Sequence, residues 1–198
     1  PLDEVDETVS IDLDCDPTCT EATAQQQTVT ILDDTTLPTV TLSVGATDIR
    51  EKVGTTSTAV TATLSAVSAK VVTVTLIKTG TALETTDYTL AGTITIPAGS
   101  GSASVTLTAT NDTPLDEANE TVVIDITGVL NGTESGNQQQ TVNILDDDDL
   151  PTVTLSVGST SINEKPGTTS TSVTATLNVV SAKVVTVTLA TTGTASAT

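Results

Sequence analysis

The chain has 198 residues, 36% of them hydrophobic, with one Tyr, no Phe, Trp, Met or His, and 25 acidic against six basic side chains for a formal net charge of −19. That balance excludes nucleic acid as a partner and argues against anionic membranes, since both call for positive charge; metal cations are its natural counterparts. No apolar stretch approaches the ~20 residues that span a bilayer, no leader peptide is visible, and the opening PLDEVDETVSIDL reads as the middle of a pattern, as in a piece of something longer. A core made of Val, Leu, Ile and Ala buries little area per side chain, so each domain is expected to be modestly stable.

Self-comparison organises the rest. LDEVDETVSID at 2–12 matches LDEANETVVID at 115–125, and QQQTVTILDD at 25–34 matches QQQTVNILDD at 138–147. PTVTLSVG begins at 38 and at 151, SAKVVTVTL at 68 and at 181. Every pair is offset by 113 positions without insertion or deletion. The expected organisation is therefore the end of one repeat in 1–37, a complete repeat in 38–149 and the first half of another in 150–198.

Along the complete repeat the apolar period is two, as in half-buried strands. In chain order the segments are TVTLSV, STAVTATLS (Val60, Ala62, Leu64), VVTVTL (Val72, Val74, Leu76), GTITIP, SASVTLTA (Ala103, Val105, Leu107, Ala109), ETVVIDI (Val122, Ile124, Ile126) and QTVNIL. Gly, Pro, Asn and Asp punctuate the gaps, and no segment has helical periodicity. Seven short strands in this length predict an all-β fold of tandem antiparallel, immunoglobulin-like β-sandwiches.

The acids of the complete repeat fall between these strands. Glu51 follows the first and Asp87 the third; Asp112, Asp116, Glu117 and Glu120 lie between the fifth and sixth; Asp146, Asp147, Asp148 and Asp149 follow the seventh. Loops after odd-numbered strands collect at one end of such a sandwich, so all four acidic loops are expected at one pole. Clustered carboxylates without basic partners call for a cation or for protons, and an all-oxygen donor set with no His selects Ca²⁺ over zinc or copper. Taken singly, any one loop would read as a solvated acidic face.

The ordered pattern PTVTLSV, Glu51, TDY, GTITIPAG, ND, the ExxET of 117–121 and ILDDD resembles the Calx-β domain, and the resemblance extends over the complete repeat and both partial copies. It implies a seven-stranded immunoglobulin-like sandwich binding one or two Ca²⁺ at one pole. The ligands it implies are Glu51, Asp87, Asp112, Glu117, Glu120, Asp146, Asp147 and Asp148, with Asp116 and Asp149 outer-shell or solvated. Asn111 stands where members of the family often carry a first Asp, and the NDTPLDEANE loop is one residue longer than usual. Of these positions the first partial copy keeps Glu4, Glu7, Asp33 and Asp34, and the last keeps Glu164.

Cys15 and Cys19, in CDPTC, are expected to form a small local disulfide if the protein is secreted; two cysteines without His do not complete a zinc site. Asp12, Asp14 and Asp16 alternate as in a calcium loop, but only Asp12 has an acidic counterpart, Asp125, so the stretch reads as strand end and solvated loop. The sequons at Asn111, Asn119 and Asn131 are expected to be unused. Threonine alternation suits the solvent face of a strand better than a flat ice-binding array, which sheet twist opposes. Catalysis finds no paired acid and base, carbohydrate binding lacks stacking aromatics, and Tyr88 reads as a packed anchor.

The functional expectation is a non-enzymatic, calcium-binding spacer repeat of a long extracellular adhesin or surface filament, stiffened by Ca²⁺ at its seams. Its partners are neighbouring repeats of the same chain, a possible homo-oligomeric filament and an unknown surface ligand. The alternative is a regulatory calcium sensor within a larger membrane-associated or signalling protein.

Overall fold

The computed structural model describes residues 3–14, 19–20, 22–23, 25–33, 35–111, 116–167 and 169–195. The candidate positions Cys15, Asp34 and Asp112 lie outside the described residues. Every regular element described is a strand, and no helix is long and apolar enough to cross a membrane.

Two strands precede the main body, β1 (Glu7–Ile11) and β2 (Gln27–Ile31). The body comprises β3 (Thr39–Val44), β4 (Asp48–Arg50), β5 (Ser57–Leu64), β6 (Val72–Gly80), β7 (Tyr88–Thr89), β8 (Thr93–Ile96), β9 (Ser102–Ala109), β10 (Glu120–Leu130), β11 (Thr133–Glu134) and β12 (Gln140–Leu145). Two more follow it, β13 (Val153–Val157) and β14 (Val173–Leu177). The body forms one sheet in the order β4-β12-β10-β6-β8 and another in the order β11-β3-β5-β9-β7.

Period-two alternation is what joins these sheets into a sandwich. Val40, Leu42, Val60, Ala62, Leu64 and Leu107 point inward from one sheet; Val72, Val74, Ile94, Ile96, Val122, Ile124, Val142 and Ile144 point inward from the other, in a single buried cluster. The intervening Thr and Ser face outward, where β-branched hydroxyl side chains fit a solvated pleat. Tyr88, the only aromatic, is buried at the edge of this core, and that burial, ahead of the nearby Glu84 and Asp87 charges, pushes its phenol pKa up.

The strands with clear alternation pair antiparallel throughout. Three short strands were not expected. β4 and β11 pair in parallel with β12 and β3, and β7 pairs antiparallel with β9. At two or three residues each, they are too short to show a period, and they extend sheet edges rather than contributing a layer.

One glycine is indispensable to the pairing of β6 with β10. Gly80 sits at φ +120, and a Cβ there would lie 2.1 Å from the Thr121 carbonyl oxygen. Only glycine adopts that backbone and allows that approach.

Candidate metal centre

The four acidic loops are tied together by hydrogen bonds at one end of the sandwich. The Lys52 and Val53 amides donate to Asp147 Oδ1 (3.0 Å) and Oδ2 (2.8 Å), joining the loop after β4 to the run after β12. Asn111 Nδ2 approaches Asp148 (3.3 Å to Oδ2), and the Asp146 amide donates to Asn119 Oδ1 (3.1 Å). The Thr110 amide donates to the Asp87 carbonyl (2.8 Å), bringing in the loop before β7. Glu120 opens β10 opposite Ile144 of β12, so it stands at the same end.

Within this pole Glu51, Asp146 and Asp148 each offer a carboxylate oxygen, and the three oxygens lie within 4.8 Å of one another. Glu51 is 6% exposed and the Asp148 side chain 2%. One oxygen of each glutamate nearby, Glu117 Oε1 and Glu120 Oε2, is also shielded from solvent. Among the described residues two half-exposed ammonium groups pair with the trio, Lys52 at 3.0 Å from Asp148 and Lys183 at 3.0 Å from Asp146. The Asp148 hydrogen bond and charge raise the Lys52 pKa. Both lysines are half-exposed, while the three carboxylate oxygens stand close together and largely shielded. An all-oxygen donor set of this kind fits Ca²⁺, a hard cation taking six to eight oxygens, rather than zinc.

The other sequence candidates divide by what they touch. Both oxygens of Asp147 are occupied by backbone amides, so it organises the loop. Asp87 is buried, and its Oδ2 accepts the Leu83 amide in its own turn. Asp149 is exposed. Asp116, expected to be outer-shell or solvated, is instead buried; Lys183 and Ser181 hydrogen bonds, largest first, pull its carboxyl below the usual range. Glu4, Glu7 and Glu164 are exposed in the flanking segments. Asp33 Oδ1 accepts both the Thr35 hydroxyl (2.7 Å) and the Thr35 amide (3.0 Å); the hydroxyl is the main cause of its pKa falling to about 2.

Two further features of the sequence have defined settings. Cys19 is disulfide-bonded, and the chain contains one other cysteine. The three sequon asparagines all hydrogen-bond through their side chains, Asn131 doing so to the Val71 carbonyl (2.9 Å) from a left-handed φ of 58°. The residues that sequence reasoning missed are Ser68, Lys70, Ser181 and Lys183. Their signal was present: SAK recurs verbatim, and Lys70 and Lys183 are two of only six basic residues.

The chain is thus an all-β sandwich with an acidic pole. No family model matches it, and no curated protein does. Among solved structures it is similar to the apo-form Calx CBD1 domain, at 21% identity and a TM-score of 0.47, over 57% of this chain and 100% of that one. It is also similar to CBD12 from CALX1.2, at 22% identity and a TM-score of 0.43, over 51% of this chain and 42% of that chain.

Proposed function

We propose that the complete repeat binds Ca²⁺ at the Glu51, Asp146 and Asp148 pole, and that such repeats form a calcium-stiffened spacer in a long extracellular surface protein. The observation that carries this reading is the position of the cluster. Asp146 belongs to the carboxylate trio and also pairs with Lys183 of the segment that follows. Carboxylates gathered where one repeat hands over to the next repel when bare, and a shared divalent cation removes that repulsion. The residues at the pole bind and orient; the function asks no bond-making of them.

Calorimetric titration of the chain with CaCl₂ tests the proposal. The expected result is saturable binding with a Kd on the order of 0.1–1 mM, the range of extracellular modules, weakened at least tenfold in Glu51→Gln. An absence of binding at about 10 mM Ca²⁺, well above that range, would sink the calcium reading. Saturation at micromolar Ca²⁺ would instead favour a regulatory sensor.

A further inference from the structure

The SAK motif has a purpose that the calcium site does not absorb. At the first seam, Asp3 lies ahead of β1 while Ser68, Ala69 and Lys70 lie between β5 and β6. The Ala69 amide donates to the Asp3 carbonyl (2.9 Å), the Ser68 hydroxyl to Asp3 Oδ2 (3.0 Å) and the Lys70 ammonium to Asp3 Oδ1 (2.9 Å). Lys70 also lies 3.5 Å from Asp33 Oδ2. At the second seam the same atoms meet with every residue number raised by 113. Ala182 donates to the Asp116 carbonyl (3.2 Å), Ser181 to Asp116 Oδ2 (2.8 Å), Lys183 to Asp116 Oδ1 (2.7 Å) and to Asp146 Oδ2 (3.0 Å).

We infer that the Ser-Ala-Lys corner of each repeat is a plug that seats in an acidic socket of the preceding repeat, fixing successive repeats in one register without a metal ion. The socket is the aspartate of the Leu-Asp-Glu turn together with the first aspartate of the Ile-Leu-Asp-Asp run.

Three arguments support it. Asp3 and Asp116 are each only 4% exposed. A carboxylate withdrawn from water is costly unless hydrogen-bonded and charge-paired, and here both oxygens accept donors, one of them a cation. Three consecutive residues each supply one donor, two from side chains and one from the backbone, so a neighbour of different shape or sequence would leave the socket unsatisfied. In each plug the serine hydroxyl also accepts the amide two residues on, Lys70 at 3.0 Å and Lys183 at 3.1 Å, which aims its proton at the aspartate.

The two seams also distinguish the clamp from the metal centre, which share Asp146. Thr35 occupies in the first seam the place that Asp148 takes in the second, and its hydroxyl caps Asp33 instead of adding a carboxylate. The clamp is the same in both. It therefore forms where Thr35 stands in place of one member of the trio, although at the second seam Asp146 serves both socket and trio.

Amide hydrogen exchange on the 198-residue chain, read by NMR at Ala69 and Ala182, provides the test, because each amide crosses one seam and serves as the other's control. Both are expected to be protected with Ca²⁺ and equally with EGTA. In Lys183→Met and in Ser181→Ala, Ala182 should exchange roughly tenfold faster or more while Ala69 keeps its rate; Lys183→Arg should retain protection. If protection at Ala182 survives both substitutions, the plug is not what holds the seam. If EGTA removes protection at both seams, calcium holds the joint and the clamp inference fails, while the calcium proposal stands. If calorimetry finds no calcium binding but the exchange pattern is as expected, the clamp stands and the calcium proposal falls.

Discussion

The hexapeptide VVTVTL occurs twice in this chain, at 71–76 and at 184–189, with opposite outcomes. In the first copy Val72 and Val74 are fully buried within β6, between β10 and β8. In the second, the same valines, Val185 and Val187, are 38% and 41% exposed and belong to no strand. A β-propensity that packs a pleated surface has no effect where no partner strand or second layer arrives.

The pairings that do form in the flanks carry the lesson further. β1 meets β2 with Glu7 opposite Ile31 and Ile11 opposite Gln27; β10 meets β12 with Glu120 opposite Ile144 and Ile124 opposite Gln140. β13 and β14 likewise reproduce the register of β3 and β5. Register is thus local and survives isolation, whereas burial is collective. Ile31 is 51% exposed; Ile144, at the same repeat position, is fully buried.

That contrast is open to direct attack, because Tyr88 is the sole aromatic and is buried in the central sandwich. Its fluorescence follows unfolding of that sandwich while the flanks stay silent. The largest effect is expected from Ile144→Ala, which should lower the urea-unfolding free energy by about 2–5 kcal/mol through the cavity it leaves. Ile31→Ala should change it by less than about 0.5 kcal/mol. Equal effects would show that the flanking strands are part of the same core.

A smaller effect is expected at the glycine that ends β6. Gly80→Ala drives a methyl group into the Thr121 carbonyl at an unfavourable φ, at a cost of about 2 kcal/mol in the same assay. At its counterpart Gly193, also at positive φ, nothing lies within 4 Å of an added Cβ. Gly193→Ala should therefore leave the Tyr88-reported transition where it is.

The smallest effect is that of pH on the second seam. Asp116 has its pKa lowered by the Lys183 and Ser181 hydrogen bonds, so its contribution to docking is complete above the ordinary carboxylate value of 3.8 and is lost as pH falls through the lowered one. Lys183 has its pKa raised by Asp116 first and Asp146 second, so its contribution is complete below 10.5 and is lost as pH rises through the raised one. Between about pH 5 and pH 9 the seam should be insensitive, with constant NMR shifts at Ser181 and Lys183. Movement inside that window would mean that another group titrates into the socket.

What the sequence made legible follows the same division. Alternation marks the strands of the core that are long enough to show a period, because that period is short and its residues contiguous. Strand parity puts Glu51 on the same side as the run after β12, since loop direction needs only the order of strands. The edge strands β4, β7 and β11 carry no readable period. The clamp was hidden for another reason: Asp116 and Lys183 are 67 positions apart, and nothing in either stretch announces the other. Nor does a run of four aspartates reveal that the second, Asp147, spends both oxygens on the backbone amides of Lys52 and Val53.

The clamp also has a direction. Plug and socket occupy different loops of one repeat, so a copy offers its plug to the repeat before it and its socket to the repeat after. Such a contact is heterologous and does not close on itself as a two-fold interface would. Applied at every seam, one rotation and one translation generate a screw axis. The pitch of that screw, and hence the azimuth at which any surface feature recurs along the protein, would be set by the geometry of five residues per repeat rather than by a linker.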